Sequence, residues 1–284
     1  MPGHTDGMQP GPPLPPITPA TTLDGVVDAI GSVIDWSIST SSRLGYFAAL
    51  YKRITIAVRV AVQQGAFEDG PRMERFDVTF ANRYFEALNG YFHPGRFGRP
   101  TRSWKVTFDA ASRPEPIMVQ HMFAGINAHI GLDLGIAAQT IGSGTQVRAL
   151  QEDFNRINAV LASQVNGIVE DINELSPALA DVYAVLKQHQ IFVINEALRT
   201  FRDDAWRFAS LLAVEPSFVR PATIWVRDRR VAHQAQLIFD PPGLVGLIQW
   251  AVDAIAARES RDVVENIRVL DEIAATPAPI STVM

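Results

Sequence analysis

The chain has no cysteine among its 284 residues. That excludes disulfides, thiolate nucleophiles and Cys-ligated zinc or iron–sulfur centres, so any metal would have to sit on His, Asp, Glu or Asn. Lysine is scarce as well, occurring only at Lys52, Lys105 and Lys187. Arginine carries nearly all the positive charge, a bias that coding composition explains without function. The net charge of −5 gives no basic footprint for nucleic acid. No uncharged apolar run reaches the ~20 residues needed to cross a bilayer. The best stretch, Ile117 to Leu132, is interrupted by Gln120, His121, Asn127 and His129. Residues 1–20 lack the basic cluster and apolar core of a secretory leader, which makes the cytoplasm the expected location. Absent too are βαβ alternation, the Walker A and GxGxxG phosphate cradles, the GxSxG elbow, and the HExxH and paired ExxH metal motifs.

What is present is apolar and helical. A hydrophobic fraction of 47% against 19% charged residues is that of a globular chain with a sizeable core. The opening MPGHTDGMQPGPPLPPITPATT, residues 1–22, has little to bury and reads as a disordered or extended arm. Apolar residues then recur at helical spacing: Val26, Val27, Ile30, Val33 and Ile34, then Leu44, Phe47, Leu50, Tyr51, Ile54 and Val58, with Gly65 as a stop. Further helices are expected over about 71–91, 114–142, 145–173, 178–212, 222–238, 243–257 and 259–275. Residues 101–113 read as a short strand or an ordered connection, and 277–284 as a flexible tail. The expectation is all-α: one multi-helix bundle over 23–276 with a buried central helix.

That central helix carries the most informative segment, HMFAGINAHIGLD, from His121 to Asp133. Its wheel is apolar nearly all round, except for a narrow stripe at Gln120, Asn127 and Gly131. His129 and Asp133 stand four residues apart and share a sector with Met122 and Ile126, so they can meet on a buried face. His121 falls about 80° away on the same wheel. On the preceding helix Asp77 lies in the apolar stripe of Met73, Phe80, Tyr84 and Leu88, while Asn82 and Glu86 lie outside it. Arg202 shares a sector with Leu198 and Trp206, which makes it the expected partner of Asp77. Asp153 and Asn158 border the stripe of Leu150, Phe154, Ile157 and Leu161. Polar groups on the inner faces of several helices point to a polar pocket inside the bundle, where bundles build metal and cofactor sites.

The blocks FANRYFEAL, GINAHIGLDLGIA, DFNRIN and DAWRFA resemble those of a helical family of bacterial proteins known as domain of unknown function 5995. The resemblance covers about residues 40–240, with NAHIxxDL as its most specific part. It implies an all-helical fold and gives weight to Asp77, Asn127, His129, Asp133 and Asp153. It implies no activity.

Three readings of the His129–Asp133 pair follow. It can be a core pair, a metal site completed by Asp77 or His121, or a metal-free acid–base site in which the carboxylate fixes the imidazole. The preferred expectation is an enzyme with an intra-bundle pocket for a small apolar molecule, walled by Phe80, Tyr84, Met122, Phe123 and Arg202. His129 and Asp133 are its catalytic residues, and a divalent metal on His129, Asp133, Asp77 and His121 is one form of it. A non-enzymatic module that binds an apolar ligand or a protein is the other. His93, His189 and His233 read as surface residues, and Trp206, Trp225 and Trp250 as core anchors.

Overall fold

A computed structural model describes residues 11–142, 146–175, 190–240 and 252–276. Among these residues there is no strand. The helices are α1 (Leu23–Thr40), α2 (Leu44–Gln63), α3 (Gly70–Phe92), α4 (Pro94–Phe97), α5 (Arg102–Ala110), α6 (Met118–Ala128), α7 (Leu134–Ile141), α8 (Gln146–Ala149), α9 (Gln151–Leu175), α10 (Gln190–Val214), α11 (Arg220–Phe239) and α12 (Val263–Ala274). The interruption expected at Gln188–Gln190, most of the helix expected over 243–257, Trp250 and the tail lie outside the described residues.

Several ends follow from local chemistry. Thr22 caps α1 by accepting from the Gly25 N–H, and Asp69 caps α3 by accepting from Arg72. Pro71 sits in the first turn of α3, where its missing N–H costs nothing. Residues 102–110 correct the expectation of a strand or connection. They form α5, burying Ser103, Trp104, Thr107 and Phe108. Thr101 supplies no cap of its own. The free N–H groups of Arg102 and Ser103 instead donate to the Asp228 carboxylate at 2.8 and 2.9 Å, from a helix over a hundred residues away.

Residues 11–22 of the arm form neither helix nor strand and are strapped to α1 and α3. Asn89 accepts from the Ile17 N–H and donates to the Ile17 carbonyl, both at 2.8 Å. Asn82 holds Ala20 in the same way, at 2.8 and 2.9 Å. Trp36 donates to the Pro12 carbonyl, and His93 lies 2.6 Å from the Leu14 carbonyl. His93 is therefore half-buried under the arm rather than a free loop residue.

The rod formed by α6 and α7 lies at the centre, as its apolar wheel requires. Its polar stripe is the docking line for the antiparallel α11. Gln120 donates to the Ile238 carbonyl, Asn127 donates to the Val231 carbonyl, and the Gly131 carbonyl accepts from Arg227. Glycines admit close neighbours along this rod: a Cβ on Gly125 would overlap the Phe47 ring, and one on Gly135 would meet the Ala205 carbonyl at 3.0 Å. Trp225, expected in the core, lies on the outer face of α11, 58% exposed beneath the Arg229 guanidinium.

Two large apolar clusters flank the rod. One joins α1, α2, α3, α5, α6 and α12 through residues such as Ile30, Phe47, Tyr84, Trp104 and Ile267. The other joins α2, α3, α7, α9 and α10 through Val58, Phe76, Phe80, Leu134, Phe154 and Ala209. Phe47, Tyr51 and Met122 of the first cluster and Phe76, Phe80 and Ile130 of the second line one cavity. The imperfect fit at this seam positions the site.

Candidate active site in the seam between two cores

His129 and Asp133 are the two ends of a π-helical turn, His129–Asp133, inserted between α6 and α7. The Leu134 N–H reaches back to the His129 carbonyl, one residue further than in an α-helix. Such turns are rare and concentrate at functional sites. Both side chains are fully buried. His129 Nδ1 lies 3.4 Å from Asp133 Oδ2. That oxygen also accepts from the Trp104 indole N–H at 2.7 Å, and Oδ1 faces Arg83 Nε at 3.4 Å. A carboxylate oxygen can only accept, so Nδ1 carries the proton and Nε2 is the bare nitrogen.

The imidazole stands in an aromatic box. Phe80 stacks on it with centroids 3.6 Å apart and planes 8° apart, and Tyr51 meets it edge-on at 4.6 Å. Phe47, Tyr84 and Trp104 stand about 6 Å off, at 5.9, 6.1 and 5.9 Å. Burial pulls the imidazole pKa down, and its contact with Asp133 only partly restores it, so His129 is neutral. Its Nε2 has no partner.

The cavity beside it measures about 130 Å³. Its walls are apolar, with Met122, Phe123, Ile126, Phe80, Leu134 and Leu198 among them, and its polar residues are Tyr51, Asp77, His129 and Arg202. Asp77 Oδ2 and Tyr51 Oη are both buried without a hydrogen-bond partner. Thr55 donates its hydroxyl proton to the Tyr51 carbonyl at 2.9 Å, and its oxygen acts weakly on the phenol as an acceptor from beyond hydrogen-bond distance. Burial raises the Asp77 pKa to about 7, with Arg202 opposing the shift through space. Burial also raises the Tyr51 phenol well above its ordinary value, so it stays a donor.

The expected Asp77–Arg202 ion pair does not form. Arg202 donates to Asn158 Oδ1 and to the Phe154 carbonyl, both at 2.6 Å, and its guanidinium lies over the Phe154 ring at 4.3 Å. Those neutral partners satisfy the cation where it lies. Burial lowers its pKa to about 10.

The remaining candidates lie apart from this cavity. His121 lines a separate, much smaller space with Arg43, Thr107 and Phe108. Burial, then the charges of Arg43 and Arg113, push its pKa down to about 3. Tyr84 belongs to the aromatic box but borders the His121 space rather than the larger cavity. Asp153 accepts from the backbone of Glu68 and Asp69 and pairs with Arg72, a structural anchor for the start of α3. Among the described residues no three His, Asp or Glu side chains come together as a metal would need. Sequence reasoning missed Trp104 and Tyr51 as polar members of the site. Tyr51 carried a signal, being a hydroxyl within the apolar stripe of Phe47, Ile54 and Val58.

The fold and site define a class: an α-helical bundle whose central rod presents a His–Asp pair to an apolar-walled cavity. Residues 23–241 match the model of a family of unknown function (DUF5995), and the chain belongs to that family. No curated protein and no solved structure matches it.

Proposed function

We propose that the protein is an enzyme that performs general acid–base chemistry on a small, largely apolar molecule held in this cavity. The observation that carries the reading is a group of three buried polar atoms without partners, His129 Nε2, Tyr51 Oη and Asp77 Oδ2, on residues lining one space. Folded proteins pair nearly all such atoms, and leaving one unpaired costs ~1–3 kcal/mol. Three in one cavity are groups held ready for a ligand. Space fits as well, since an apolar cavity of about 150 Å³ admits benzene. His129 is the base, with its tautomer set and its ring oriented by Asp133. Asp133 Oδ2 is engaged by Trp104 and His129, which supports an orienting role, while Oδ1 lies 3.4 Å from Arg83 Nε without a hydrogen bond.

The test is a thermal-shift screen of small neutral compounds in the presence of EDTA, followed by chromatography of those that bind. The expected result is a compound that is bound and consumed, with turnover falling on the order of 10²–10⁴-fold in His129→Ala while its circular dichroism stays that of the wild type. If every bound compound is recovered intact and the variant only melts at a different temperature, the protein is a binding module and the enzyme reading fails.

A further inference from the structure

The polar groups of the cavity have complementary chemistry. His129 Nε2 accepts a proton. Tyr51 and Asp77 present unpartnered oxygens from two other helices, α2 and α3. Tyr51 links the two ends of the site: its ring abuts the imidazole at 4.6 Å, and among titratable neighbours Asp77 acts on its hydroxyl most strongly. We propose that the cavity binds a small apolar ketone and that the reaction is removal of a proton from the carbon next to its carbonyl, with Tyr51 and Asp77 holding the oxygen.

This rests on the acid–base reading and names its substrate class. A carbonyl oxygen has two lone pairs. The Tyr51 hydroxyl fills one, and the Asp77 carboxyl, in the protonated form that burial favours, fills the other. A tyrosine and a neutral carboxylic acid are a known donor pair for an enolate oxygen. His129 Nε2 takes the α-proton. The C–H electron pair becomes the carbon–carbon double bond, and the carbonyl π pair moves onto the oxygen between the two donors. Returning the proton to the same carbon gives exchange. In an unsaturated ketone, returning it to the γ-carbon gives the double-bond isomer. No oxidant, reductant or second substrate is needed. A carboxylate or ammonium ligand fits poorly, because the walls are apolar and the Arg202 guanidinium is engaged by Asn158 and Phe154.

The experiment follows α-proton exchange of cyclopentanone, cyclohexanone and butanone in D2O by NMR, with the full chain, alongside binding of phenol and of toluene. Phenol mimics the planar enol, and toluene offers the same ring without the hydroxyl. Exchange above the buffer rate is expected, falling to the buffer rate in His129→Ala and by roughly 10²–10³-fold in Tyr51→Phe. Tyr51→Phe removes only an unpaired hydroxyl, so the variant folds. Phenol is expected to bind about tenfold more tightly than toluene, a difference lost in Tyr51→Phe. Exchange at the buffer rate with all three ketones overturns the proposal. If the protein then still consumes another compound with dependence on His129, the acid–base reading stands alone. Exchange that survives His129→Ala overturns both.

Discussion

Asp77 shares the cavity wall with Phe76 and Phe80, and Tyr51 of α2, Arg202 of α10 and His129 of the π turn line the same space. Its carboxyl holds its proton to about pH 7 in the folded protein, against an ordinary value of 3.8. Between those values the unfolded chain binds fewer protons than the folded one, so this residue's contribution to stability falls as pH rises and is fully lost above about pH 7. The shift corresponds to about 4 kcal/mol. Asp77→Asn is therefore expected to gain stability over the wild type progressively from pH 4 to 7, read by urea denaturation at each pH. An unchanging difference would mean that Asp77 is ionised in the folded state. His121 acts with the opposite sign. Its folded pKa of about 3 makes the protein lose stability as pH falls below 6.5, and His121→Leu is expected to flatten that acid limb. At this scale the His129–Asp133 pair was legible, because four-residue spacing on an apolar face is a local pattern. The Asp77–Arg202 pair was misjudged, because the wheel shows that two groups are buried but not which acceptor each one finds.

The arm and α3 show what elements do that residues do not. Asn82 and Asn89 stand one heptad apart, about 10 Å along a helix. Ile17 and Ala20 stand three residues apart in the arm. The face of α3 thus grips a proline-rich segment by its backbone at two points. Asn89→Ala is expected to cost ~1–3 kcal/mol in thermal or urea unfolding, since it removes two hydrogen bonds and strands the Ile17 backbone. No loss would mean that the strap contributes nothing. The wheel placed Asn82 outside the apolar stripe correctly, but could not show that the outer side of α3 is covered. In the central rod, periodicity indicated a long buried helix, whereas the π turn depends on one backbone hydrogen bond that no hydrophobic pattern encodes.

Across the whole molecule, the family match ends at residue 241, yet α12 completes the first core. Ile267 is fully enclosed, and Gly45 of α2 packs so closely that a Cβ there would strike its Cδ1. Ile267→Ala is expected to destabilise the fold by ~2–5 kcal/mol, measured by urea denaturation. A cost below about 1 kcal/mol would mean that α12 is an appendage. Globally, the cavity is the place where two well-packed cores meet without filling the space between them. The amino-acid order by itself determined the helical class, the burial of the central rod and the His129–Asp133 pair, because each depends on residues within a turn or two of one another. The tertiary structure alone decided that Asp228 caps α5, that the Trp104 indole donates to Asp133, and that Tyr51 and Asp77 open on the same space as His129. Those facts depend on contacts between residues distant in the chain, and on polar atoms left without contacts, which no local pattern records.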